Sequence, residues 1–318
     1  FFSDSQDDVN HMFTTRTDRV LVDLPKMTDG RLDASIMVAY IPQGERSAQG
    51  YREAFALAQK KLDQIEALTR AYPHLLGLAS TPDDLLRFKA QGIKAIMRGI
   101  ENGYAIGRDL SLLSHFRQMG VVYMTLCHNG DNDICDSARG HAEHGGLSAF
   151  GQEVVREMNA LGMMIDMSHA AESSFYDALA LSQAPIVCSH SSSRALCSHP
   201  RNLTDDQMKA LAAQGGVAQV TLYHGFLRHE GEATVLDALD HLHHMVQVMG
   251  PEHVGIGTDF DGDGGVRGLK DASELIGFTR QLLRRRYSES DLQGIWGGNF
   301  LRVMRQVQSS ATSHLGLS

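Results

Sequence analysis

The 318-residue chain is 42% hydrophobic, enough apolar mass for a substantial buried core, and its length admits either one large α/β barrel or two domains. With 38 acidic against 29 basic residues its net charge is -9, which argues against nucleic-acid binding through a generalised basic surface. No apolar run approaches the roughly 20 residues of a membrane span and no charged leader with an apolar core opens the chain, so the sequence reads as soluble, with cytoplasm and periplasm both open.

In chain order, strand-like apolar runs are expected at Ala34–Ile41, Leu75–Leu78, Ile93–Glu101, Val121–His128, Met163–His169, Pro185–His190, Gly216–Tyr223 and His253–Asp259. Helical spacing fills most of the intervals: Ser47–Tyr72, Leu110–Met119, Phe150–Leu161, Ser173–Leu181, Val235–Met249, Ala272–Arg286 and Ser288–Val307. Thr81-Pro82-Asp83-Asp84 reads as an N-cap followed by proline at the first helical position, and Thr204-Asp205-Asp206-Gln207 as a capping box. Strands alternating with helices imply parallel pairing through right-handed crossovers.

No repeat, low-complexity tract or linker divides the chain, so 1–318 is expected to be a single-domain (β/α)8 TIM-like barrel. A closed barrel is preferred to an open doubly wound sheet because the candidate functional residues end many different strands, whereas an open sheet gathers its ligand at one switch point. Gly255-Ile256-Gly257 lacks the GxGxxG spacing of a dinucleotide site. Cys127, Cys135, Cys188 and Cys197 show no CxxC spacing, and Arg284–Arg286 reads as solvated surface near a helix end.

The chemistry is concentrated where those strands stop. MMIDMSH ends at His169, PIVCSH at His190, HVGIGTDFDG carries Asp259, and IKAIMRGIE ends at Glu101. Strand C-termini of a parallel barrel open on one face, where neutral imidazoles and carboxylates from different strands are the ligand types of a catalytic Zn²⁺ centre. Each residue alone is more commonly a hydrogen-bonded loop group. Four polar residues closing four apolar runs are harder to attribute to chance, because burying unpaired polar groups is costly. The irregular segment Asn129–Gly146 follows the strand ending at His128 and is placed to shape access to that face.

From Val22-Asp23-Leu24-Pro25-Lys26-Met27 to Gly298-Asn299-Phe300-Leu301-Arg302-Val303, the chain resembles the renal, or membrane, dipeptidase family of zinc peptidases within the amidohydrolase-like barrels. The most specific segments are Gly99-Ile100-Glu101-Asn102-Gly103, Leu126-Cys127-His128-Asn129, Ile165-Asp166-Met167-Ser168-His169, Cys188-Ser189-His190, Pro200-Arg201-Asn202 and Gly257-Thr258-Asp259-Phe260-Asp261-Gly262. The resemblance implies that Glu101 bridges two zinc ions and that His169 and His190 complete one metal position. It further implies that His128 contacts the substrate carbonyl, Arg201 binds the terminal carboxylate, and Asp259 orients the attacking water and exchanges protons. A family His-x-Asp pair that would supply the other metal position has no match before Val22; the non-methionine start favours a missing N-terminus over a lost site.

The expected function is therefore hydrolysis of the amide bond of a small dipeptide by a zinc-activated water. The alternatives are a catalytically weak barrel that binds dipeptide-like ligands and a related amidohydrolase acting on a lactam or cyclic amide. The resemblance also implies a homodimer, and the net charge of -9 argues against a nucleic-acid partner.

Overall fold

The computed structural model describes residues 2–311. Helices α1 (Gln6–Thr14) and α2 (Leu24–Asp29), capped by Ser5 and Asp23, precede β1 (Ala34–Tyr40) and are additions to the expected elements. There follow α3 (Ala48–Ala71), β2 (Leu76–Leu78), α4 (Pro82–Ala90), β3 (Lys94–Glu101), α5 (Ser111–Gln118), β4 (Val121–Thr125), α6 (Ala149–Leu161) and β5 (Met164–Asp166). The second half runs α7 (Glu172–Leu181), β6 (Val187–Cys188), α8 (Asp205–Ala213), β7 (Val217–Val220), α9 (His224–Leu227), α10 (Val235–Met249), β8 (Val254–Ile256), α11 (Leu275–Arg284), α12 (Glu289–Gln293) and α13 (Asn299–Ser309).

Local chemistry sets many of these boundaries. Ser47 caps α3 by accepting from the Gly50 N–H, and Thr81 with Asp84 closes a reciprocal capping box on α4, with Pro82 at the first position. Thr204 and Gln207 form the same box on α8. The predicted helix over Ser288–Val307 is broken into α12, a wide π-type turn at Gly294–Gly298, and α13, because Gly297 leaves helical geometry. Among the described residues no helix is long and apolar enough to cross a membrane.

All eight strands are parallel and form one curled sheet in the order β1-β3-β4-β5-β6-β7-β8, with β2 flanking the start of β3. This is the barrel-type α/β architecture expected from the alternation; among the described residues its ladder is not continued between β8 and β1. Phe300, Val303, Met304 and Val307 of α13 pack with Met97, Tyr123, Met164, Val187 and Val217 from five strands, sealing the end at which β5, β6 and β7 begin. Opposite that plug, register aligns Tyr40, Glu101, Thr125 and Asp166 across β1, β3, β4 and β5. Side chains two residues apart share a face, so this row places polar groups on the rim of an otherwise apolar sheet.

Candidate metal centre

The strands are shorter than the apolar runs that predicted them, and the difference builds the site. Glu101 is the last residue of β3, but His128, His169, His190 and Asp259 lie two or three residues past the ends of β4, β5, β6 and β8. Leu126, Cys127 and Met167 remain buried beyond their ladders, which is why the sequence pattern continues after pairing has stopped. His169 and Asp259 sit at φ 71° and 56°, a left-handed conformation that costs non-glycine residues of order 1–3 kcal/mol and turns their side chains out of the strand direction. Gly257 permits the exit of β8 to pass Ser189: a Cβ there would lie 1.8 Å from the Ser189 carbonyl oxygen.

Three of the exits deliver donor atoms to one point. His169 Nε2 and His190 Nε2 are 2.9 Å apart, and Glu101 Oε1 lies 3.1 Å from the first and 3.5 Å from the second. Ligands at 2.0–2.1 Å from a tetrahedral ion are separated by about 3.3 Å along each edge, so the three spacings match a common zinc-sized sphere. The outer nitrogen of each ring is already engaged: His169 Nδ1 is 3.2 Å from Asn129 Oδ1, and His190 Nδ1 is 2.8 Å from Ser189 Oγ. Asn129 Oδ1 can only accept, which assigns the His169 proton to Nδ1 and leaves its Nε2 lone pair facing the cluster. Converging lone pairs and a carboxylate form a donor set that a cation satisfies.

His128 belongs to the same cluster but stands farther from its centre. Its Nε2 is 3.8 Å from Glu101 Oε1, its ring packs 4.1 Å from that of His169, and Tyr40 covers it at 4.7 Å. Glu101, His128 and His169 also offer mutually close donor atoms, so the described residues hold one shared cluster around Glu101 rather than two separate ligand sets. Ser137 holds the rim in place, its hydroxyl 2.5 Å from the His128 carbonyl oxygen and 3.3 Å from that of His169.

Burial separates the charge states. Glu101 is pushed up to about 7 by desolvation, then by Asp166, with Arg201 and Lys61 opposing. Asp259 is held well above the ordinary carboxylate range by burial and by Glu101, against Arg201. His128 falls to about 4 through burial and the Arg201 charge, and burial takes His169 and His190 well below the usual imidazole range. All three imidazoles are therefore neutral donors at neutral pH. Arg201 is only 3% exposed, with Nη2 3.4 Å from the His190 carbonyl oxygen, its guanidinium over the Phe226 ring, and Nε buried without a protein partner.

A stability prediction follows from Glu101. Its folded pKa is raised, so its contribution to stability is complete below about 4.5 and is lost as pH rises through about 7. In metal-free protein, Glu101→Gln is expected to match the parent near pH 4.5 and exceed it at pH 8.5 by up to about 3 kcal/mol, the equivalent of the shift from 4.5. Denaturant unfolding at the two pH values measures this; an advantage independent of pH would contradict it.

Residues 3–315 match the membrane dipeptidase family, peptidase family M19, and the chain belongs to that family. It is 36% identical over 323 residues to dipeptidase 3 of Mus musculus, covering 100% of this chain and 63% of the mouse protein, so it spans just under two thirds of that relative's length. Dipeptidase tcpJ of Claviceps purpurea is 34% identical over 303 residues, covering 93% of this chain and 71% of the fungal one. The crystal structure of the probable dipeptidase PvdM from Pseudomonas aeruginosa superposes with a TM-score of 0.90 at 29% identity, covering 93% of this chain and 91% of that one.

Sequence reasoning named Glu101, His128, His169, His190, Arg201 and Asp259. The structure gathers the glutamate and the three histidines by contact, and places Arg201 and Asp259 within the same electrostatic field. Asn129, Ser137, Ser189 and Asp166 were not assigned roles. The available signal was a polar residue inside an apolar run, as at Asp166 within MMIDMSH.

Proposed function

We propose that this protein hydrolyses the amide bond of small dipeptides in a zinc-dependent reaction centred on Glu101, His169 and His190. The observation that carries the reading is the convergence of His169 Nε2, His190 Nε2 and Glu101 Oε1 at mutual distances of 2.9–3.5 Å, with the histidine Nδ1 atoms engaged elsewhere. When bound, a zinc ion supplies Lewis acidity and lowers the pKa of water toward roughly 7. The described residues provide one ligand set for it; a second ion, as the family resemblance implies, would share Glu101 and draw on donors outside that set.

The remaining groups divide the work on the substrate. Arg201 is a permanent buried cation whose unpartnered Nε leaves it free to take the terminal carboxylate of a dipeptide, fixing which amide reaches the centre. His128, neutral down to about pH 4, offers an uncharged N–H to the carbonyl oxygen as negative charge develops there. Asp259 takes a proton from the attacking water and returns it to the leaving amine; its raised pKa suits it to both transfers.

Arg201→Lys is expected to raise KM for free dipeptides about tenfold or more, because an ammonium cannot reproduce the planar two-point grip on a carboxylate, while kcat and metal content stay near parent values. An unchanged KM would remove Arg201 from the substrate site. The reading as a whole is tested by assaying a dipeptide panel with metal-stripped and zinc-reconstituted protein. Turnover restored by zinc supports it. Turnover of lactams alone, or binding of dipeptides without turnover, would replace it with one of the two alternatives.

A further inference from the structure

Beneath the cluster lies a carboxylate that the reaction just described does not use. Asp166, the last residue of β5, is wholly buried and accepts four hydrogen bonds. Oδ1 takes the backbone N–H groups of Ser168 at 3.1 Å and Ser189 at 2.8 Å, while Oδ2 takes the hydroxyls of Thr125 and Ser189, each at 2.6 Å. Ser189 Oγ is also 2.8 Å from His190 Nδ1. A hydroxyl has one proton; with Oδ1 accepting two backbone N–H groups and Oδ2 only 2.6 Å from Ser189 Oγ, the Asp166 side chain takes it, so Ser189 can only accept from the imidazole.

We infer that Asp166 is a positioning residue that acts through Ser189 to hold His190 in its Nδ1–H tautomer, keeping the Nε2 lone pair turned toward the cation. The inference deepens the proposed function and rests on its placement of the cation. The two histidines are held differently: the Nδ1 of His169 meets an amide oxygen, whereas that of His190 is tied through one hydroxyl to a buried carboxyl group. A carboxylate behind a ligating imidazole fixes its orientation and raises its basicity, and loss of such a partner typically costs 10–100-fold in metal affinity. The competing explanation is that Asp166 only staples β4, β5 and β6 together.

Asparagine at this position separates the two. Its amide oxygen must take the Oδ1 place, where two backbone N–H groups demand an acceptor, so its NH₂ faces Thr125 and Ser189. Ser189 then accepts from the amide, and its own proton turns to His190 Nδ1 at 2.8 Å in preference to Ser168 Oγ at 3.4 Å, which moves the ring proton onto Nε2, the atom a cation needs bare.

The test is ¹⁵N NMR of His190 in metal-free, ¹⁵N-histidine-labelled protein at pH 7.5, with the signal assigned by its loss in His190→Gln, together with zinc affinity by chelator competition. The parent should show an Nδ1-protonated ring, and Asp166→Asn an Nε2-protonated one. Zinc affinity should fall 10–100-fold in Asp166→Asn and Ser189→Ala. Ser189→Thr, which keeps the hydroxyl, should restore it, and Thr125→Val, which removes a bond to the same carboxylate oxygen without touching the histidine, should leave it unchanged. An Nε2-protonated parent, a tautomer unmoved in both Asp166→Asn and Ser189→Ala, or a Thr125→Val loss equal to that of Asp166→Asn would overturn the inference. If Asp166→Asn does not fold, Ser189→Ala against Ser189→Thr decides. Neither readout uses a dipeptide, so failure of the hydrolase reading and failure of this relay are seen separately.

Discussion

Asp259→Asn is expected to lower kcat by about 10²–10⁴-fold while zinc stoichiometry stays at the parent value. The carboxylate occupies a left-handed position three residues past β8, and burial with Glu101 nearby holds its pKa well above the ordinary range, the two features required of a group that gains and then gives up a proton. Asparagine preserves its size and some hydrogen bonding but cannot carry the proton. If Asp259 instead oriented a ligand, zinc content would fall with the rate; zinc analysis and kcat on one preparation distinguish the roles. Near-native turnover would exclude both.

Single replacement of His169 or His190 by alanine is expected to remove about one metal equivalent per chain. The three donors come from three separate strand exits, and His128, with Nε2 3.8 Å from Glu101 Oε1, is already committed to the cluster's edge. Loss of either imidazole leaves Glu101 and one imidazole of the tight set, with His128 Nε2 set too far out to fill the vacated position of a zinc ion without moving. Zinc stabilises only the folded state, by about 2.7 kcal/mol at a hundredfold excess over Kd, so the parent's rise in Tm on adding zinc should disappear in either variant. A full metal complement with a modest stability loss would reduce both histidines to ordinary buried residues. Plasma emission analysis and thermal unfolding with and without zinc provide the two readings.

The fold was legible wherever one periodicity governed a whole segment. Val235–Met249 ends where its apolar pattern and Gly250 place it, and the caps at Ser47, Thr81 and Thr204 set helix starts within a residue. Reading failed where pairing and burial part company. Pro185–His190 predicts six strand residues but only Val187–Cys188 pair, because the following Ser189 and His190 turn their polar groups into the site while remaining buried. Helix α1 was missed because Val9, Met12 and Phe13 form a short apolar stripe among acidic and polar neighbours, with packing on α3 making up the rest. In the site, groups that close apolar runs stood out, whereas Ser189 and Asn129 carry no pattern: their roles arise from the histidine nitrogens they face across space.

The most direct test is an anomalous-difference map at the zinc edge from crystals of zinc-reconstituted protein. A peak is expected about 2.0–2.2 Å from His169 Nε2, His190 Nε2 and a Glu101 carboxylate oxygen, with the His190 Nδ1 to Ser189 contact retained. Anomalous density away from both imidazoles would contradict it.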